Sequence, residues 1–250
     1  MAAGLPWALL GALVVAQICY PLTGGGVRAG LTVVTVVLGY LLSVSHALLT
    51  RGARTAAALV ATATAGGFAV EAFGVATGFP FGTYDYSGQL GPKVLGVPLI
   101  IPLAWTWMAW PAWLAALRLA GSQAARVLLA AAGLAAWDLF LDPQMVAEGY
   151  WTWRDPTPAL PGVPGVPIGN YLGWLGFAVL LMAALSLVAG PPALTPVARD
   201  RPLLTLWFWT YASSVLAHAV FLGLPASAAW GGVIMGAAVI PLVVKLSRAC

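Results

Sequence analysis

Charge is what this sequence has least of. Only 7% of its 250 residues are charged, against 61% hydrophobic, where a soluble domain carries roughly 25% charged residues. Mean hydropathy is +0.93. So little charge cannot keep a surface dissolved, and lipid is the expected solvent. The net charge of +4 is modest and its Lys and Arg are scattered, which argues against a nucleic-acid partner. Two histidines and two cysteines without ligand spacing give no basis for a metal site. Cys19 and Cys250 fall on opposite faces of the topology below, so no disulfide within the chain is expected. No phosphate-cradling glycine loop, His-rich iron arrangement, Asp-rich diphosphate motif or Ser/Cys nucleophile motif occurs. Those absences argue against nucleotide-driven transport, iron-dependent oxygenation, prenyl transfer and nucleophilic hydrolysis, and no cofactor is expected.

What is present is a series of apolar stretches of roughly 20 residues without the period-two alternation of a barrel strand. They predict an all-α integral membrane protein, a single transmembrane domain over 1–250, with about eight helices near 5–22, 28–50, 55–78, 97–118, 124–145, 168–189, 203–223 and 226–246. The first is expected to be retained, since no positively charged segment precedes it. Turns such as Thr23-Gly24-Gly25-Gly26, Gly121-Ser122 and Pro191-Pro192 separate the helices, and two longer loops span 79–96 and 146–167. Eight helices put both termini on one side, with Arg51, Arg54, Arg118, Arg126, Arg199, Arg201, Lys245 and Arg248. The other side receives Arg28, Lys93 and Arg154. The excess favours a multi-pass protein of the cell membrane with cytoplasmic N- and C-termini. Glu71, Asp85, Asp138, Asp142, Glu148 and Asp155 then fall in the non-cytoplasmic half, and only Asp200 does not.

Two segments, 71–105 and 138–174, match when laid on each other. Glu71, Gly82, Tyr84, Tyr86, Gly96-Val97-Pro98, Leu103 and Trp105 answer to Asp138, Gly149, Trp151, Trp153, Gly165-Val166-Pro167, Leu172 and Trp174. Each copy reads helix, loop, helix in one orientation, so the copies should be related by an axis along the membrane normal. Glu71 and Asp138 should then face one another at equal depth.

An acid inside a helix span costs roughly 2.5–3.5 kcal/mol at the helix centre, which makes Glu71 and Asp138 candidates for chemistry. Asp142 shares a helix face with Asp138, although Pro143 behind it suggests that the helix ends there. Asp85 is a further candidate, closer to water. The plainer role for each acid is a cap or a partner for Arg154 or Lys93. Tyr84, Tyr86, Tyr150, Trp151, Trp153, Tyr171 and Trp174 crowd the same half. An interfacial belt accounts for each singly, but not for their repeated spacing from the acids. His218 reaches the acidic half and His46 does not. Asn170 is either a polar contact near the acids or a helix start.

Phe81-Gly82-Thr83-Tyr84-Asp85-Tyr86, Gly96-Val97-Pro98 with Pro102 and Trp105, Trp137-Asp138-Leu139 through Asp142-Pro143, Gly149-Tyr150-Trp151-Thr152-Trp153, and Gly165-Val166-Pro167 with Asn170 and Trp174 resemble the carotenoid biosynthesis protein family. Its characterised members are CruF-type carotenoid 1,2-hydratases, including the bisanhydrobacterioruberin hydratase type. The resemblance implies addition of water across a terminal isoprenoid double bond of a C40 or C50 carotenoid drawn from membrane lipid. Protonation of such an alkene gives a tertiary cation that water captures. A carboxyl in a low-dielectric site can hold the required proton, and a second carboxyl nearby can be ionised. Asp138 or Glu71 is the expected acid, Asp142 a water-orienting base, and the aromatics, with Trp105, Trp137, Asn170 and His218, the expected substrate contacts. Two other readings use the same acids: an isoprenoid cyclase, in which an internal double bond captures the cation, and a non-enzymatic proton-coupled transporter or lipid-binding protein.

Overall fold

Backbone polar groups in a lipid core must be paired within the chain, which leaves the apolar stretches only the helix. In the computed structural model, residues 4–189 and 196–248 are described. Their long helical segments are α1 (Leu5–Leu22), α2 (Gly25–Arg51), α3 (Ala53–Thr77), α5 (Gln123–Ala147), α6 (Ile168–Ala189), α7 (Val197–Phe221), α8 (Pro225–Ser247), and between α3 and α5 a helix α4 (Ile101–Leu119). Seven are long and apolar enough to cross a membrane, α4 being the exception. The protein is an all-α, multi-pass membrane protein. The Pro191-Pro192 turn and Cys250 lie outside the described residues.

The helix that misses the hydropathy threshold is the central one. Four tryptophans and two prolines dilute the apolar character of α4, yet nearly all of it is buried. It packs against α2, α3, α5 and α7. Its start is four residues later than expected, because Lys93–Val94 (β2) and Val97–Pro98 (β3) form a hairpin first. Leu95 and Gly96 both take positive φ at its tip, the geometry of a two-residue hairpin turn.

Proline inside a helix frees the carbonyl four residues earlier. At Pro111 and Pro143 that carbonyl is recaptured by a serine on a neighbouring helix. Pro111 frees Trp107, whose carbonyl accepts from Ser43 Oγ at 2.9 Å. Pro143 frees Leu139, whose carbonyl accepts from Ser227 Oγ at 2.6 Å. The helix α5 therefore continues through Asp142 and Pro143 to Ala147 instead of ending at Asp142.

At the end of the bundle away from the long loops, Asp200 is buried and holds Arg51 Nη1 at 2.9 Å and Arg118. This anchor begins α7 at Val197, earlier than the polar run Arg199–Arg201 suggests. His46 completes it, accepting from Trp110 Nε1 at 3.0 Å and lying 2.9 Å from the Arg199 carbonyl. Removing one partner of such a buried cluster would leave a charge uncompensated.

Replacing Ser43 with alanine leaves the Trp107 carbonyl unpaired. Thermal unfolding in detergent should show a loss of about 1 kcal/mol, the scale of an interhelical hydrogen bond in a membrane protein. The same substitution at Ser45, which bonds only within its own helix, should change stability less.

Candidate active site

The two long loops meet across a short antiparallel ladder. Tyr84–Tyr86 (β1) pairs with Trp151–Trp153 (β4) in the register Tyr84↔Trp153, Asp85↔Thr152, Tyr86↔Trp151. Side chains on a strand alternate between faces. Tyr84, Tyr86, Trp151 and Trp153 turn toward the helices, whereas Asp85 and Thr152 face out. Asp85 is consequently not part of the site. It pairs with Arg154 through two bonds of 2.8 and 3.0 Å, with more than half of each side chain exposed. Those guanidinium bonds hold its carboxyl below the usual carboxylate range.

Beneath the ladder lies a cavity of about 140 Å³. Of the residues singled out from sequence, Glu71, Asp142, Tyr84, Tyr86, Trp105, Trp137, Trp151, Trp153, Asn170 and Trp174 line it. Asp138, Asp85 and His218 are not among the described lining residues.

Glu71 is buried and accepts three hydrogen bonds. Tyr84 and Tyr86 hydroxyls donate to Oε2 at 2.7 and 2.8 Å, and Trp105 Nε1 donates to Oε1 at 3.0 Å. Burial first, then the Glu71 charge, push both tyrosines above the usual range, so they stay protonated as donors. Asp142 accepts from Trp151 Nε1 at 3.2 Å. The Asn170 amide donates to Asp142 Oδ2 and, at 2.9 Å, to Asp138 Oδ2. Asp138 and Asp142, one helical turn apart on α5, therefore share the Asn170 amide. Asn170 thus acts as a polar contact to the acids as well as standing in the first turn of α6.

The geometry shifts the correspondence between the two halves by one helical turn. Gly78 and Gly149 close their helices with φ of 77° and 69°, a left-handed conformation that favours glycine. Glu71 stands seven residues before the first and Asp142 seven before the second. Val75 and Val146, three before each, rest on the glycines of the two Gly-Val-Pro turns, where an added Cβ would come within 2.8 and 2.7 Å of them. Tyr84 bonds Glu71 as Trp151 bonds Asp142. By its place before the closing glycine, Glu71 matches Asp142 and not Asp138. The linear match misleads because six residues lead from Gly78 to Tyr84 but only two from Gly149 to Trp151. The ladder register is itself two-fold, and Trp105 stacks on its counterpart Trp174 at 3.8 Å between centroids and 16° between planes.

Other lining residues went unnoticed in the sequence: Tyr20, Thr32, Trp107, Gln144 and Ser213 among them. None of them is charged or part of the repeated spacing, although Gln144 is a polar residue inside an apolar stretch and so carried a signal. His218 sits behind the cavity, in a π turn at Ala217–Phe221, with Gln144 between. The site offers two differently held carboxyl groups, walls of aromatic rings and no cationic side chain among the described lining residues.

The sequence profile of the family described as "Carotenoid biosynthesis protein" matches residues 30–244. The chain is 40% identical over 136 residues to the bisanhydrobacterioruberin hydratase of Haloarcula japonica, an alignment covering 51% of this chain and 44% of that relative. The chain thus matches less than half the length of that curated relative. No solved structure matches it.

The ladder register can be tested chemically. Cysteines placed at Asp85 and Thr152 face each other across the strands, within reach of a disulfide. Mild oxidation of the D85C/T152C variant should yield an intramolecular crosslink, seen as a mobility shift reversed by reductant. The D85C/D155C variant, whose second position lies beyond the end of the ladder, should give none.

Proposed function

We propose that this chain, which belongs to the carotenoid biosynthesis protein family, adds water across the terminal isoprenoid double bond of a carotenoid to give a tertiary alcohol. The observation that carries the reading is the pair of differently held carboxyl sites on one aromatic cavity. The name of the relative from Haloarcula japonica points to the same reaction.

Three donors converge on Glu71, an arrangement that suits a carboxylate, which only accepts. Asp138 and Asp142 suit a single shared proton at rest, since two buried carboxyls on one Asn170 amide repel each other's charge, and the cation formed by donation offsets the second charge while it lasts. In this reading Asp142 hands that proton to the less substituted alkene carbon, and Asp138 holds it between turnovers. The tertiary cation forms between the Trp105–Trp174 stack and the anionic Glu71. Ring faces and a fixed negative charge both stabilise it in a site without bulk water. Water then forms the C–O bond and returns one proton to the aspartate pair, so the catalyst is restored. A cavity of about 140 Å³ takes a chain end, and the rest of a C40 or C50 polyene extends into lipid. The two helix–loop–helix halves fit descent from one duplicated unit in which only the Asp142 half gained the second carboxyl.

Carotenoid from membranes holding each variant, normalised to inserted protein, tests the assignment. Asp142→Asn should lower hydrated product by roughly 100-fold or more, as for loss of a general acid, and Glu71→Gln should also lower it sharply. Asp85→Asn should stay near wild type. Near-normal hydration by Asp142→Asn would remove Asp142 as donor. A product without the added mass of water would favour cyclisation.

The same reading places the site toward the non-cytoplasmic side, with both termini in the cytoplasm, on the Lys/Arg asymmetry. Reporters inserted in loops 79–96 and 146–167 should signal from outside the cytoplasm. Cytoplasmic signals from both would invert the topology.

A further inference from the structure

The proton transfer proposed above leaves another wall of the cavity unused. Tyr20 and Gln144 line it. The Tyr20 hydroxyl is buried and has no hydrogen-bond partner among the described residues, with the Gln144 amide, Thr32 and Tyr150 around it. An unpartnered buried hydroxyl on a residue that lines a cavity calls for a polar ligand.

Gln144 is held from behind by a chain that begins at a proline. Pro143 cannot donate to Leu139, so Ser227 Oγ donates to that carbonyl at 2.6 Å. A serine hydroxyl has one proton. With it directed at Leu139, Ser227 must accept from His218 Nδ1, 2.9 Å away. No carboxylate lies on either ring nitrogen among the described residues to balance a charge, so the ring is neutral and its Nε2 is an acceptor. The Gln144 amide, 3.1 Å from that nitrogen, then presents its NH2 group to the ring. Hydrogen bonding, not side-chain shape, settles which end of an amide points where. The carbonyl oxygen of Gln144 is left turned from the histidine, free to accept from a ligand in the cavity.

We propose that the Gln144 carbonyl and the Tyr20 hydroxyl hold the water that captures the cation, with His218 and Ser227 as positioning residues; this rests on the hydratase reading above. Tyr20 donates to the water oxygen, and the water donates one proton to Gln144. The remaining lone pair forms the C–O bond to the tertiary carbon. The proton released goes to the carboxylate that protonated the alkene, so one water is added and no other reactant is needed. The wall leads toward the aqueous end of the bundle. There Arg28 pairs with Glu148, both side chains about one-fifth exposed, and the Arg28 guanidinium lies 5.5 Å from the centroid of the Tyr20 ring.

The test separates protonation from capture. Membranes holding the full chain are given the carotenoid that the wild type hydrates, in deuterated water, and both alcohol and deuterium in recovered substrate are measured. A cation that forms but is not captured loses a proton again, leaving deuterium in the alkene. Tyr20→Phe and Gln144→Leu should each lower alcohol by roughly 10-fold or more, the scale of a misplaced reactant, while deuterium continues to enter the alkene. His218→Phe should move the same ratio in the same direction. A parallel fall of alcohol and deuterium in both Tyr20→Phe and Gln144→Leu, or unchanged alcohol in both, would overturn the assignment. Wild-type protein that yields neither alcohol nor deuterated alkene with any carotenoid offered would sink the hydratase reading, and this one with it.

Discussion

A polar group inside this bundle has little water to turn to, so it must find its partner in the chain. That constraint organises the whole site. Each unpaired group in hydrocarbon costs several kcal/mol, and the prolines and acids of this sequence create many. The carbonyls freed by Pro111 and Pro143 are met by Ser43 and Ser227. Glu71 is met by two tyrosines and a tryptophan. Asp138 and Asp142 are both met by Asn170, and Asp142 by Trp151 as well. The buried carboxyl groups are held in place by the need to satisfy them.

The donors come mostly from the two loops and from the helix starts behind them. Short strands let an irregular segment cover the end of the bundle while pairing its own backbone. Alternation along the strands then sends four aromatic side chains inward and leaves Asp85 outside with Arg154. The outcome is a cavity whose polar groups point at a few places and whose remaining wall is ring surface. That division suits the carbocation route proposed above, which needs one proton, one water and otherwise a surface that does not react with it.

The two ends of the bundle use charge differently. At one end Asp200 is neutralised by Arg51 and Arg118, and the cluster ties α2, α4 and α7 together. At the other, acids face the cavity without a cation among its described lining residues. An Asp surrounded by arginines is an anchor. A pair of carboxyls facing only dipoles and each other keeps a proton available.

The helices were legible because lipid imposes a length and a composition that the linear chain displays directly: segments such as 124–145 and 168–189 nearly coincide with Gln123–Ala147 and Ile168–Ala189. The acids at Glu71, Asp138 and Asp142 and the paired aromatics were legible too, since intramembrane charge is rare enough to mark itself. Three-dimensional packing decided the rest. Counting along the chain set Glu71 against Asp138, whereas helix ends at Gly78 and Gly149 set it against Asp142, because loops of unequal length shift a linear match without moving the helices. Pro143 suggested a helix end, and a serine far along the chain removed the reason for one. Tyr20, Gln144 and His218 draw the roles proposed for them only from neighbours on other helices. Periodicity and hydropathy are properties of a segment and can be read locally; a hydrogen bond between residues 88 or 120 positions apart exists only once the chain has folded.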